Sequence, residues 1–174
     1  MTDAEKRAQK IRMIIFDVDG VLTDGGIYVG AEGELYKPFN CRDGLGIALW
    51  QRAGFKTAVI TGRDSAMVAN RVSELHITAL WQNCPDKRGA YAELKARYGL
   101  ADEEIAYVGD DLIDLPILVQ VGLAAAVGDA APEVRAQAHI TTAHTGGHGA
   151  AREVIEFILK AQGRWDGIVA GFLQ

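Results

Sequence analysis

Two carboxylates one residue apart, Asp17 and Asp19, close an apolar run and are followed at once by Gly20. The run Met13–Phe16 is too short for a membrane span and suits a strand buried on both faces. Asp17 then falls at the strand's carboxyl end, where open α/β sheets bind ligands. Alternation along an extended chain puts both acids on one side, and a glycine after them lets the backbone turn with no Cβ in the way. Alone, Asp-x-Asp-Gly is also an ordinary acidic turn. Its weight comes from later apolar runs that end in reactive groups as well. Residues 57–60 lead into Thr61-Gly62-Arg63-Asp64, Ala79–Trp81 is followed by Asp86-Lys87, and residues 105–108 deliver Gly109-Asp110-Asp111-Leu112-Ile113-Asp114. Carboxylates packed as closely as Asp110, Asp111 and Asp114 repel one another unless a cation neutralises them, and hard oxygen ligands suit magnesium; a helix N-terminus would also favour acids there. Lys87, in the first turn of a helix, sits at the wrong end of the helix dipole, which hints at an anion nearby. Together these positions offer a carboxylate nucleophile, a second carboxylate for proton transfer, a hydroxyl and a lysine for phosphate oxygens, and acids for a divalent cation.

The elements that must position these groups follow from the rest of the chain. With 174 residues, 49% apolar and 24% charged, the sequence reads as one soluble globular domain, residues 1–174, with a full core. Eighteen basic and 23 acidic side chains give a net charge of -5, and no basic run occurs, which argues against nucleic acid or an anionic membrane as main partner. Residues 1–10 are charged, lack a signal-peptide core and predict a short N-terminal helix in a cytoplasmic protein. Cys41 and Cys84 form no Cys-x-x-Cys motif and are expected to be reduced thiols; His144 and His148 have a helical zinc spacing but stand in a glycine-rich loop without a third ligand. Residues 27–29 and 35–39 predict a projecting β-hairpin around Gly30-Ala31-Glu32-Gly33, with Pro38 at an edge. Helices are predicted after Asn40-Cys41-Arg42-Asp43-Gly44, over 65–75, after an Asp86 N-cap, and around Val154, Ile155, Ile158 and Leu159 up to Gly163. Further strands are predicted at 123–127 and 139–141, and the tail 163–174 shows no strong helix signal. The strand–helix alternation predicts an α/β fold, a doubly wound, mostly parallel sheet with helices on both faces.

In order and over nearly the whole length, these motifs resemble those of the haloacid dehalogenase superfamily of phosphatases. Within it the chain is most similar to the capless 3-deoxy-D-manno-octulosonate 8-phosphate phosphatase family, through Asp17-Val18-Asp19-Gly20-Val21-Leu22-Thr23-Asp24-Gly25, Asn40-Cys41-Arg42-Asp43-Gly44, Ile60-Thr61-Gly62-Arg63 and Tyr107-Val108-Gly109-Asp110-Asp111-Leu112-Ile113-Asp114. The resemblance implies a Rossmann-like core and hydrolysis of a phosphorylated sugar acid in lipopolysaccharide precursor synthesis. It implies that Asp17 forms an aspartyl-phosphate, that Asp19 protonates the departing oxygen and later deprotonates water, and that Thr61 and Lys87 steady the phosphoryl oxygens. It further implies Mg2+ held by the Asp17 carboxylate, the Asp19 main-chain carbonyl and Asp110, with Asp111 and Asp114 in support. Substrate contacts are implied for Asp19, Asn40, Cys41, Arg42, Asp43, Gly44, Gly62, Arg63, Arg71 and Lys87. Ala48 and His148 depart from the family's basic residues, which bears on how the substrate carboxylate is held. Phosphatases of nine-carbon 2-keto-3-deoxy sugar acid phosphates share the motifs. A phosphoreceiver-like signalling domain has similar groups, but its phosphorylated Asp ends the third strand. The gaps between motifs leave no room for a cap domain, so the family implies a homotetramer in which hairpins associate and a neighbour's tail helps complete each site.

Overall fold

The computed structural model describes residues 1–174. Short helix α1 (Asp3–Ala8) is closed at its start by a reciprocal cap between Thr2 and Glu5, and it leads into β1 (Met13–Phe16), buried at every position. A hairpin follows, β2 (Tyr28–Gly30) and β3 (Gly33–Tyr36). The chain continues through α2 (Cys41–Arg52), β4 (Lys56–Ile60), α3 (Ala66–Glu74), β5 (Ala79–Trp81), α4 (Arg88–Tyr98) and β6 (Ile105–Gly109). It ends with α5 (Leu115–Leu118), β7 (Leu123–Ala126), α6 (Pro132–Gln137), β8 (Ile140–Thr141), α7 (Ala150–Ala161) and α8 (Trp165–Gly171).

Six strands form one sheet in the order β5-β4-β1-β6-β7-β8, and every pairing in it is parallel. From β1 the chain steps outward through β4 to β5, then returns to the other side of β1 as β6 and steps outward again. Right-handed crossovers place α2 and α3 on one face and α4, α5 and α6 on the other. Helix α7, the last but one, returns to pack on α2 and α1. β1 is therefore the topological switch point, and the crevice at its carboxyl end is flanked by the ends of β4 and β6. The continuous apolar runs that predicted strands buried on both faces fill a single core cluster that includes Ile14, Phe16, Ile60, Tyr107, Leu123 and Ile155.

Four local readings are corrected. The hairpin turns on Ala31 and Glu32 alone, so Gly30 and Gly33 belong to its strands and Pro38 lies beyond them; Tyr28 and Tyr36 stack across it with ring centroids 4.4 Å apart. Helix α4 begins one residue later than expected, with Lys87 in the N-cap position making no cap bond, while the Asp86 carboxylate accepts the Arg88 N–H at 3.1 Å. Strand β8 begins one residue after His139. The tail is not featureless: α8 forms although Gly167 and Gly171 lower its propensity, because Trp165 is held under the cations of Arg152 and Lys160, 5.1 and 5.5 Å from its ring.

Candidate active site

Asp17 is the first residue beyond β1, and its N–H still donates to Val108 O at 3.1 Å, so the ladder between β1 and β6 extends far enough to set its carboxylate over the crevice. Its neighbours arrive from three other strand ends. Thr61 follows β4 and is buried; its backbone carbonyl accepts from Cys84 N–H at 3.0 Å, and Arg63 O accepts from Asn83 N–H at 3.2 Å. Asn83 has φ 55, a left-handed conformation that asparagine tolerates better than most residues. This turn lays residues 82–86 along the Thr61 segment and delivers Lys87 under Asp17.

Lys87 is fully buried, and an ammonium there requires partners on every side. Its Nζ lies 2.6 Å from Asp114 Oδ1, 3.0 Å from Tyr107 Oη and 2.9 Å from Asp17 Oδ1. The Tyr107 hydroxyl donates to Asp114 Oδ1 at 2.5 Å, while Asp114 Oδ2 accepts from the N–H groups of Asp110 at 2.9 Å and Asp111 at 3.3 Å. Asp114 is thereby saturated. The approach of Lys87 to Asp17 is an ion pair without hydrogen-bond alignment, and Asp17 Oδ1 and Asp110 Oδ1 are buried oxygens with no hydrogen-bond partner.

Asp17, Asp110 and Asp114 place ligand oxygens within 4.8 Å of one another, against one ammonium. Burial pushes the Asp17 carboxyl up to about 7 despite the pull of Lys87, with Asp114 adding to the rise. Burial and then the charges of Asp17, Asp114 and Asp111 push Asp110 up to about 8. For Lys87 burial works toward the neutral form, but Asp17 and Asp114 outweigh it and hold the ammonium above its ordinary value. Two orphaned oxygens amid surplus negative charge fit a divalent cation with hard-ligand preference. Asp111 instead caps the turn Leu112–Asp114, its Oδ1 accepting from Leu112 N–H at 2.7 Å. Space for this cluster is made by Gly20, with φ +92: a Cβ there would lie 2.0 Å from Asp110 Oδ2.

The substrate-facing candidates divide. Arg63 is half exposed at the mouth, its Nε 3.8 Å from Asp19 Oδ2. Cys41 and Arg71 line a cleft of about 510 Å³ with Tyr36, Lys37, Phe39 and Asn70, and Arg71 also donates to Asn40 O at 3.3 Å. Gly44 leaves the room Arg71 needs, since a Cβ there would meet its Nη2 at 2.5 Å. Gly62 borders Ile113 and Pro85, and Arg42 is exposed in a separate cleft with His144 and Arg152. Asn40 and Asp43 are engaged elsewhere. Asn40 caps α2 through Arg42 N–H at 2.8 Å and donates to Gly147 O at 3.1 Å. Asp43, only 2% exposed, accepts from Arg152 N–H at 2.8 Å and Gly149 N–H at 3.3 Å, so it clamps α7 to α2, and it lines a small cavity with Asn40, Gly44 and Arg71. His144 pairs with Glu153 at 2.7 Å and His148 bonds Gly146 O at 2.8 Å, each within its own surroundings.

Sequence reasoning missed Tyr107, hidden in an apolar run, and Lys37. Lys37 has a side chain only 2% exposed and is ion-paired with Asp19 and, at 3.0 Å, with Glu34 Oε1. The signal available was a lysine among Leu35, Tyr36 and Phe39, where a solvated cation is out of place.

Comparison with known proteins agrees with this geometry. A family model described as haloacid dehalogenase-like hydrolase matches residues 80–154. The 3-deoxy-D-manno-octulosonate 8-phosphate phosphatase of Yersinia pestis is 47% identical over 165 residues, 95% of this chain and 88% of that protein. The corresponding phosphatase of Moraxella catarrhalis, solved in complex with magnesium, phosphate and KDO, superposes with a TM-score of 0.96 at 40% identity, covering 99% of each chain. The cobalt-bound form of the Haemophilus influenzae phosphatase superposes with a TM-score of 0.93 at 38% identity, covering 97% of this chain and 99% of that one.

Proposed function

We propose, since this chain belongs to the 3-deoxy-D-manno-octulosonate 8-phosphate phosphatase family of haloacid dehalogenase-like hydrolases, that it is a magnesium-dependent phosphatase releasing phosphate from that eight-carbon sugar acid phosphate. The observation that carries the reading is the pair of unpartnered buried oxygens on Asp17 and Asp110 beside the buried ammonium of Lys87. That arrangement suits a nucleophile, a cation and a phosphoryl group meeting at one point.

In the first half-reaction an Asp17 carboxylate oxygen bonds to phosphorus as the bond from phosphorus to the sugar oxygen breaks, and Asp19 gives that oxygen a proton. In the second, water attacks phosphorus, its proton passes to Asp19, and the bond to Asp17 breaks. Lys87 favours the ionised, nucleophilic form of Asp17 and, with Thr61, offers donors to the phosphoryl oxygens; Asp114 and Tyr107 hold Lys87 in place. Magnesium would be held by the Asp17 carboxylate, the Asp19 main-chain carbonyl and Asp110, and it supplies neutralising charge for the acids and the phosphoryl oxygens. Asp114, with its oxygens committed, supports the site from behind, and Asp111 orders the turn. The half-exposed Arg63 and the cleft beside Arg71 suit an anionic, polar substrate.

The working unit is proposed to be a homotetramer built on the hairpins, with a neighbour's tail over each site. Supporting this, Val29 and Leu35 on the hairpin, Leu112 and Ile113 beside the acid cluster, and Phe172 and Leu173 in the tail are exposed apolar side chains. No helix is long and apolar enough to cross a membrane, and the proposed site of action is the cytoplasm.

Phosphate release from a panel of eight- and nine-carbon sugar acid phosphates, with magnesium and with chelator, tests the reading. The eight-carbon substrate is expected to be favoured by about 10-fold or more over its nine-carbon analogue, a pocket-level discrimination. Preference for the nine-carbon compound would reassign the substrate, and turnover undiminished by chelator would overturn the metal site.

A further inference from the structure

Asp19 does not stand alone at the mouth of the site; it is reached by a chain of polar groups that begins two elements away. Ser65 is the N-cap residue of α3, a position where a serine hydroxyl ordinarily accepts a helix N–H and contributes about 1 kcal/mol. Here that bond is absent: the hydroxyl donates to Glu34 Oε2, and the Ser65 N–H donates to Gln82 Oε1 at 2.9 Å. Glu34, on β3, in turn holds the Lys37 ammonium at 3.0 Å, with the Arg63 guanidinium 4.0 Å away. Lys37 completes the chain by bonding Asp19 Oδ1. Its side chain is nearly sealed from solvent, so both carboxylates are needed to keep the ammonium there. A helix cap left unmade and a lysine buried between two acids indicate a built network, since surface ion pairs rarely recruit either.

We infer that Lys37, held through Glu34 by Ser65, is a positioning residue for the proton transfer performed by Asp19: it ties Oδ1 in place and leaves Oδ2, 3.8 Å from Arg63 Nε, for the departing oxygen. The inference rests on the proposed role of Asp19. It gives the hairpin a part in catalysis within its own chain, in addition to any part in assembly. A carboxylate must sit within hydrogen-bond reach of the oxygen it protonates, and misplacement by about 1 Å costs on the order of 100-fold in rate.

Leaving-group dependence distinguishes this role from a structural one. An alkoxide departing from a sugar acid phosphate needs a proton; the nitrophenolate of para-nitrophenyl phosphate, a far weaker base, does not. Because kcat/KM reports the steps through the first irreversible one, it isolates departure of the alcohol. Lys37→Met is expected to lower kcat/KM about 10- to 100-fold more for the sugar acid phosphate than for the aryl phosphate. Lys37→Arg should recover most of the difference, and Ser65→Ala should show a smaller loss of the same sign. For Lys37→Met, equal losses with both substrates, or a loss with neither, would overturn the inference; if Lys37→Met fails to fold, Ser65→Ala carries the same comparison. Asp19→Asn run alongside separates the two levels. If Asp19→Asn shows the contrast and the Lys37 and Ser65 variants do not, the positioning role alone fails. If Asp19→Asn shows no contrast, the proton-transfer reading falls and the inference with it.

Discussion

Asp17 and Asp110 bind protons more tightly in the folded, metal-free protein than in the unfolded chain, at about 7 and about 8 against an ordinary aspartate near 4. Stability from a raised carboxyl is fully present below the unfolded value and is lost as pH rises through the folded one. In chelator the melting temperature should therefore fall between about pH 5 and pH 8 more steeply for the parent than for Asp110→Asn, and the rise produced by magnesium should be larger at pH 8. An identical pH slope in the two proteins would show that Asp110 does not carry the effect. Asp110→Ala should also weaken magnesium binding by about 10-fold or more, read by calorimetry, and unchanged affinity would remove it from the metal site. At this scale the sequence was informative about placement, which follows from standing at a strand end, as with Asp17, Thr61 and Asp110. It was silent on Lys37, whose contact with Asp19 is made across 18 residues by a folded-back hairpin, and on Tyr107, whose hydroxyl lies inside an otherwise apolar strand. For Asp43, position in a recognised motif suggested the cleft, and its hydrogen bonds to the start of α7, which clamp that helix to α2, left no mark in the sequence.

Elements set the precision of the site through backbone contacts that side-chain patterns do not display. The loop between β8 and α7 lies so close to the turn after β1 that a Cβ on Gly146 would stand 1.7 Å from Gly20 O. Backbone against backbone cannot yield as a flexible side chain can, so Gly146→Ala should cost at least about 1–3 kcal/mol of stability and shift the turn that carries Asp19. Thermal unfolding and kcat together check this, and a variant with parent stability and turnover would contradict the packing. The alternation of apolar runs and helical spacing made the parallel direction of the strands legible, because each buried strand leaves a run and each crossover leaves a periodic segment. Boundaries were less legible: Lys87 at the start of α4 is held by contacts distant in sequence, and the two-residue hairpin turn is fixed by the pairing of Gly30 with Gly33. Helix α8 escaped notice because its glycines lower its propensity and its support, Trp165 against Arg152 and Lys160, comes from α7.

The whole molecule has an open crevice with no cap domain over it, and it presents apolar side chains on the hairpin, beside the acid cluster and in the tail. If neighbouring copies close the site, a chain ending at Gln162 should remain tetrameric through its hairpins while losing kcat/KM, as read by light scattering and steady-state kinetics. A fully active monomer would refute site sharing, and an intact tetramer with parent kinetics would remove the tail from the account. The proposed roles of Asp19, Lys87, Asp110 and Lys37 all depend on Asp17 being the residue that takes the phosphoryl group. The most direct test is rapid acid quench of the magnesium-loaded enzyme with its sugar acid phosphate, followed by mass spectrometry of the peptides. The account predicts one phosphoryl group on the peptide containing Asp17, absent in chelator and absent in an Asp17→Asn variant that no longer turns over. Phosphorylation at another residue, or parent-rate turnover by Asp17→Asn, would contradict it.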